Sequence, residues 1–111
     1  MSIRPIPKRL LIHSVEYREF IEDQRWGGSF ADPIPVTFVR VEPATSMNRD
    51  TSKEEVVARS VLYIDRVHTK PFVQPKEKDR IIFGGEEYEV HKVDVHYAFG
   101  PRIHHLEVEL V

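Results

Sequence analysis

The chain contains no cysteine among its 111 residues. This excludes a disulfide scaffold, a cysteine zinc site, an iron–sulfur cluster and a thiol nucleophile, and it fits synthesis in a reducing cytoplasm. An excess of basic charge is also missing, because 16 Lys and Arg residues stand against 18 Asp and Glu residues, a formal net charge of −2. Since phosphate neutralisation drives nucleic-acid affinity, this balance argues against an electrostatic nucleic-acid binder.

No apolar run approaches the roughly 20 residues that a membrane span needs, and the first residues lack the apolar core of a signal peptide. We therefore expect no membrane association. No internal repeat and no low-complexity segment is present. The length and the 41% hydrophobic content are typical of one domain, which we expect to span residues 1–111.

Helical periodicity is weak, and the apolar residues fall in short runs rich in Val, Ile, Phe and Tyr. Such runs favour a pleated, half-buried surface. We predict five or six strands, over residues 9–20, 36–42, 61–67 (or from 56), 80–83, 88–97 and 104–111. The expected fold is mainly β, a small antiparallel β-barrel or sandwich with long loops.

Two local features refine the fourth and fifth predicted strands. Gly84-Gly85 supplies the positive φ angles of a tight hairpin turn. In the following strand Tyr88 and Val90 share one face, whereas Val93 and the alternate residues after it fall on the other. A β-bulge at residues 91–92 would return all of them to one side.

The remaining segments are interpreted as an arm and loops. Pro5 and Pro7 predict an extended N-terminal arm over residues 1–8. Residues 43–55 are almost entirely polar and are expected to form a mobile loop. The capping-box spacing of Thr51 and Glu54 leaves open a short helix over residues 53–59.

The six histidines are the first candidates for chemistry. His91 and His96 flank the expected bulge, and His104-His105 begins the pairing strand, so three imidazoles could converge on a metal ion. None of these spacings matches a compact metal motif. Histidines on the faces of strands are the simpler interpretation, with His104 inward and His105 outward beside Glu107. We therefore expect no metal and no cofactor.

No pattern predicts an active site. Carboxylates are numerous but show no sign of a pocket, and the glycine pairs lack the lysine and hydroxyl residue of a phosphate-binding loop. We expect no catalytic residues and no enzyme. A small barrel that binds nucleic acid remains the alternative, with Arg4, Lys8 and Arg9 as its compact basic cluster.

Three aromatic residues lie in predicted turns and connections and are candidate interface residues. They are Trp26, Phe30 and Phe72. Tryptophan is enriched at the energetic centres of protein interfaces. Packing back onto the core is the alternative for each of them.

Several stretches together resemble small minor capsid proteins of tailed phages and prophages of Gram-positive bacteria. They are PIPKRLLIHSVEY at residues 5–17, LYID at residues 62–65 before Lys70-Pro71, DRIIFGGEEYEV at residues 79–90 and HHLEVEL at residues 104–110. These proteins are similar to head-closure, or stopper, proteins of the head–tail connector.

The resemblance implies a virion structural protein that is made in the host cytoplasm and located in the virion neck. It implies a small β-barrel that joins a ring below the portal and adaptor, closes the DNA channel after packaging and offers a platform to the tail-completion proteins. Packaged DNA would lie nearby without specific binding. By position alone, the channel loop would include Thr45, Ser46, Met47, Asn48, Arg49 and Asp50.

Overall fold

The computed structural model describes residues 4–23, 27–44 and 59–111. In this part of the chain the strands are β1 (His13–Arg18), β2 (Phe20–Ile21), β3 (Ser29–Phe30), β4 (Ile34–Pro43), β5 (Ser60–Asp65), β6 (Arg80–Phe83), β7 (Glu86–Tyr97) and β8 (Ile103–Leu110). Six of them close into an antiparallel barrel in the order β1-β4-β5-β8-β7-β6, and β2 pairs with β3. The predicted β fold is confirmed, and the barrel is the correct alternative.

The barrel interior is filled by aliphatic side chains from alternate strand positions. Among the described residues, twelve apolar side chains are buried: Leu11, Val15, Val36, Val39, Val41, Leu62, Ile64, Ile81, Val90, Leu106, Val108 and Leu110. In β8 the alternate residues Leu106, Val108 and Leu110 are fully buried, as the period of two along a strand requires. Because the barrel is closed, each of its strands pairs with a neighbour on both sides, and none of them has an unpaired edge.

A bulge in β4 determines which of its apolar residues enter the core. The register with β1 skips Phe38, which has a positive φ of 57°. The extra residue brings Val36 and Val39 to the same inner face although their spacing is odd. An unbroken alternation would place Val36 and Val39 on opposite faces of this strand, and the bulge removes that conflict.

The β6–β7 hairpin and the bulge that follows it are both confirmed. Gly84 and Gly85 have φ angles of 61° and 81°, as a two-residue turn of this kind requires. The register between β7 and β8 shifts between Val90 and Lys92, which leaves His91 unpaired. Val90 and Val93 therefore both face the partners Leu110 and Val108.

The structure corrects the ends of two predicted strands. Residues 8–10 form a 3-10 turn, in which the Leu10 N–H donates to the Pro7 carbonyl, so the first strand begins at His13 instead of residue 9. The third strand ends at Asp65 instead of residue 67. Its carboxylate accepts hydrogen bonds from the backbone N–H groups of Val67 and His68 and turns the chain.

Some predictions fall on residues that the structure does not describe. The possible helix lies there except for Arg59, and so does most of the loop over residues 43–55. Among the described residues, the model contains no helix of the length and apolar character needed to cross a bilayer.

Candidate functional site

An open cleft lies at the end of the barrel where β7 turns into β8. Its volume is about 680 Å³, and its lining includes Pro5, Arg66, Val67, Pro101, Arg102 and Ile103. Three chain segments build it: the N-terminal arm, the residues just after β5 and the β7–β8 turn. The lining combines two arginines with mainly apolar residues, and this composition resembles that of a protein-contact surface more than that of a catalytic pocket.

Large apolar side chains project into solvent at the same end. Val67, Tyr97 and Phe99 expose 53%, 59% and 67% of their surfaces. Val67 lines the cleft itself, and Tyr97 and Phe99 are the chain neighbours of a further lining residue, Ala98. We call this set, with Arg66 and Arg102, the turn-end surface. Sequence reasoning did not single out these residues, because a turn aromatic resembles any loop residue until its neighbours are known.

The N-terminal arm is held at this end by a buried carboxylate. Asp65 is fully buried, and its Oδ1 atom accepts a 3.0 Å hydrogen bond from the Ile6 N–H. Its own N–H donates to Thr69 Oγ1, which in turn donates to the Phe38 carbonyl. These hydrogen bonds join the arm, the β4 bulge and the end of β5. They hold Ile6 in place, and the preceding residue, Pro5, lines the cleft.

A second buried carboxylate joins β1, β2 and the connection before β6. Asp79 accepts hydrogen bonds from the Tyr17 hydroxyl (2.6 Å), the Phe20 N–H (2.8 Å), the Lys76 N–H (2.8 Å) and Lys76 Nζ (3.1 Å). Burial alone would raise the pKa of Asp79, but these four donors outweigh it and lower the pKa. Burial and the Asp79 carboxylate raise the pKa of Tyr17. The network thereby holds β1, β2 and the connection before β6 together.

The structure gathers part of the predicted histidine cluster on the outer face of β7 and β8. His96 and His105 stack with their ring centroids 4.6 Å apart, and the Nε2 atom of each lies within 3.1 Å of Glu107 Oε2. His91 lies outside this group. His104 is half-buried at the cleft instead of inside the apolar layer, because it lies two residues before Leu106, the first buried residue of β8.

The predicted interface aromatics occupy different environments. Phe30 in β3 is half-buried, packs edge-to-face on Phe20 and lies under the guanidinium of Arg80. Phe72 packs against the core, with the Arg66 guanidinium 5.1 Å from its ring centre. Trp26 and the predicted channel-loop residues 45–50 lie outside the described residues. The interface role of these aromatic residues stays a prediction.

The fold defines the class: a small closed antiparallel β-barrel with exposed apolar side chains at its β7–β8 turn. The family model for the minor capsid protein matches residues 7–110, and the chain belongs to this family. It is accordingly a structural, virion-associated protein of phage origin, as the resemblance implied. Comparisons with curated proteins and with solved structures find no match.

Proposed function

We propose that this minor capsid protein is a component of the head–tail connector. In this proposal it assembles into a ring below the portal and adaptor, closes the DNA channel after packaging and provides the tail attachment platform. It acts without catalysis and belongs to the neck of the virion. Its partners are further copies of itself, the portal and adaptor ring, and the tail-completion proteins.

The observation that carries the proposal is the exposed turn-end surface. Burying one large apolar side chain is worth roughly 1.5–3 kcal/mol, so leaving Tyr97 and Phe99 in water is unfavourable for an isolated barrel. Tyrosine and arginine are also enriched at the energetic centres of interfaces. A ring needs a head-to-tail contact between unlike surfaces of adjacent copies, and a surface confined to one end of the barrel suits such a contact.

The charge of the chain agrees with a place beside packaged DNA. A net charge of −2 gives little general attraction to phosphate, so DNA can pass without being held. Several described basic side chains also form ion pairs with carboxylates of the same chain. Arg40 pairs with Glu42 and Arg80 with Glu89, each at 2.6 Å.

A cryo-electron microscopy map of the virion neck tests the proposed location. The expected result is a ring of these barrels between the portal–adaptor assembly and the tail. Finding the protein in the capsid shell, or bound as single copies away from the neck, would contradict the proposal.

A matched pair of variants tests the surface itself. Phe99→Ser removes the most exposed apolar side chain of the turn-end surface, whereas Ile12→Ser removes one of similar exposure, 65%, from the segment before β1, which is not part of that surface. We expect Phe99→Ser to reduce the yield of tailed particles at least tenfold with unchanged stability of the purified barrel. Ile12→Ser should have little effect, and equal losses from both variants would refute the role of this surface.

A further inference from the structure

Two rungs of the β7–β8 ladder place four side chains that can bind metal ions on one outer face. His96 lies directly opposite His105, and Asp94 lies directly opposite Glu107. Directly opposed residues of an antiparallel pair point to the same side of the sheet. Asp94 is already paired with Lys92 Nζ at 3.5 Å, so Glu107 is the carboxylate of these two rungs that lies with the histidines.

The geometry of three of these residues is compact. His96 Nε2 is 3.1 Å and His105 Nε2 is 2.8 Å from the same oxygen, Glu107 Oε2. The three atoms all lie within 4.8 Å of one another. Two imidazoles and a carboxylate are the donor set of many zinc sites, with bond lengths of about 2.0–2.2 Å.

A hydrogen-bond chain behind His105 determines which of its nitrogens carries the hydrogen. The chain ends at the Arg4 carbonyl, which can only accept, so His104 Nε2 must donate to it at 2.6 Å. The other nitrogen of a neutral His104, Nδ1, is then an acceptor. It lies 2.8 Å from His105 Nδ1, which must therefore be the donor.

This assignment leaves a lone pair on His105 Nε2. That lone pair faces Glu107 Oε2, also an acceptor, across 2.8 Å. Two acceptors at this distance need a positive group between them, which is either an extra proton or a metal ion. A metal ligand has this same arrangement: one imidazole nitrogen donates to a supporting group while the other presents its lone pair.

We propose that His96 Nε2, His105 Nε2 and Glu107 Oε2 bind a divalent transition-metal ion, with Zn²⁺ as the natural occupant. The stacked rings are nearly parallel, at 3°, so one ring must turn for both lone pairs to meet at the ion. His96 is the ring that turns, because its side chain is 45% exposed whereas that of His105 is only 18% exposed. The fourth position stays open to water or to a group from a neighbouring protein.

The proposed metal site is connected to the N-terminal arm by hydrogen bonds through His104. His104 is a positioning residue: it does not contact the ion, but it holds the His105 ring and is itself held by the Arg4 carbonyl. Metal binding therefore stabilises the docked arm, which also lines the cleft through Pro5. This inference does not depend on the ring, since the site lies within one barrel.

The test measures Zn²⁺ binding to the full chain by isothermal titration calorimetry and by thermal unfolding with and without a chelator. We expect one Zn²⁺ per chain and a rise in the unfolding midpoint that the chelator reverses. His105→Gln and His96→Gln should each weaken binding at least tenfold. His91→Gln is the matched control, because His91 is a half-buried residue of the same strand outside the cluster, and it should bind normally.

Nitrogen-15 NMR of the histidine rings keeps the test decisive if a variant fails to fold. In the parent protein with Zn²⁺, the His105 Nδ1 should carry the hydrogen and Nε2 should show the shift of a metal-bound nitrogen. His104→Phe should weaken Zn²⁺ binding about 10–100-fold. Without its partner on His104, the His105 hydrogen should no longer be confined to Nδ1. No midpoint shift at 100 μM Zn²⁺, binding unchanged in His105→Gln, or a proton on both His105 nitrogens with Zn²⁺ present would overturn the proposal.

Discussion

Asparagine at position 79 is expected to destabilise the barrel strongly even though it preserves the shape of the side chain. The Asp79 carboxylate is fully buried and receives four hydrogen bonds, two on each oxygen. An asparagine keeps one acceptor oxygen and replaces the other by an amide N–H₂ group, which faces two donors. In either orientation at least one buried N–H or hydroxyl group loses its acceptor.

The magnitude follows from which donors can escape to water. If the amide faces the Phe20 N–H and Lys76 Nζ, the half-exposed lysine can turn away and one buried donor is left unsatisfied. If it faces the Tyr17 hydroxyl and the Lys76 N–H, two donors lose their acceptor. Each unsatisfied buried group costs roughly 1–3 kcal/mol, and the remaining bonds lose their charge assistance, so Asp79→Asn should cost about 2–4 kcal/mol.

Acid provides an independent check on the same carboxylate. The folded-state pKa of Asp79 is lowered relative to the unfolded chain, so its stabilisation is present above the unfolded pKa of about 3.9 and is lost as the pH falls through the folded value. The stability difference between the parent and Asp79→Asn should therefore shrink as the pH falls below about 4, because the unfolded parent chain then binds a proton at Asp79 while the folded carboxylate stays charged to a lower pH.

Urea unfolding at several pH values measures both effects. Asp94→Asn is the control, because the Asp94 side chain is 44% exposed and its 3.5 Å pair with Lys92 is a surface ion pair. It should change the free energy of unfolding by less than about 0.5 kcal/mol. A cost below about 1 kcal/mol for Asp79→Asn, or a difference that is the same at pH 7 and pH 3, would refute the role assigned to the buried carboxylate.

Three further predictions concern the hairpin, association and DNA. Gly85→Ala should lower the free energy of unfolding by about 1 kcal/mol, because a Cβ is strained at a φ of 81°. Gly85→Asn should cost less, since asparagine tolerates this conformation better. Equal costs of the two variants in chemical unfolding would argue against the turn geometry. The purified protein should be a monomer or a weak oligomer, and light scattering that finds a stable ring at micromolar concentration without a partner would contradict this. Fluorescence anisotropy should detect no DNA binding at 150 mM salt, whereas binding with a steep salt dependence would favour the alternative of a nucleic-acid-binding barrel.

Local patterns in the sequence were sufficient for most of the strands. The hairpin depends on two adjacent glycines, and the bulge at His91 was visible as a change of phase between Val90 and Val93. Both are properties of neighbouring residues, so no tertiary information is needed to find them. The alternation of Leu106, Val108 and Leu110 along β8 is equally local, and all three residues are buried.

Other features depend on pairing between distant segments. A sandwich and a closed barrel use the same alternation, and only the pairing of β1 with both β4 and β6 distinguishes them. The β4 bulge also escaped prediction, because apolar residues on both sides of Phe38 hide the change of phase. Phe38 has its positive φ where the register with β1 shifts and where its carbonyl accepts a hydrogen bond from Thr69, and neither partner is near it in the sequence.

The candidate sites show the same division. Composition excluded cysteine chemistry, and the resemblance pointed to the family that was then found. The sequence also indicated that histidines between residues 91 and 105 could converge on paired strands, but it did not determine which of them lie together. Register decided this: one bulge places His96 opposite His105, brings Glu107 beside both and leaves His91 outside. Side chains that are distant along the chain acquire their chemistry from that pairing, which exists only once the barrel has closed.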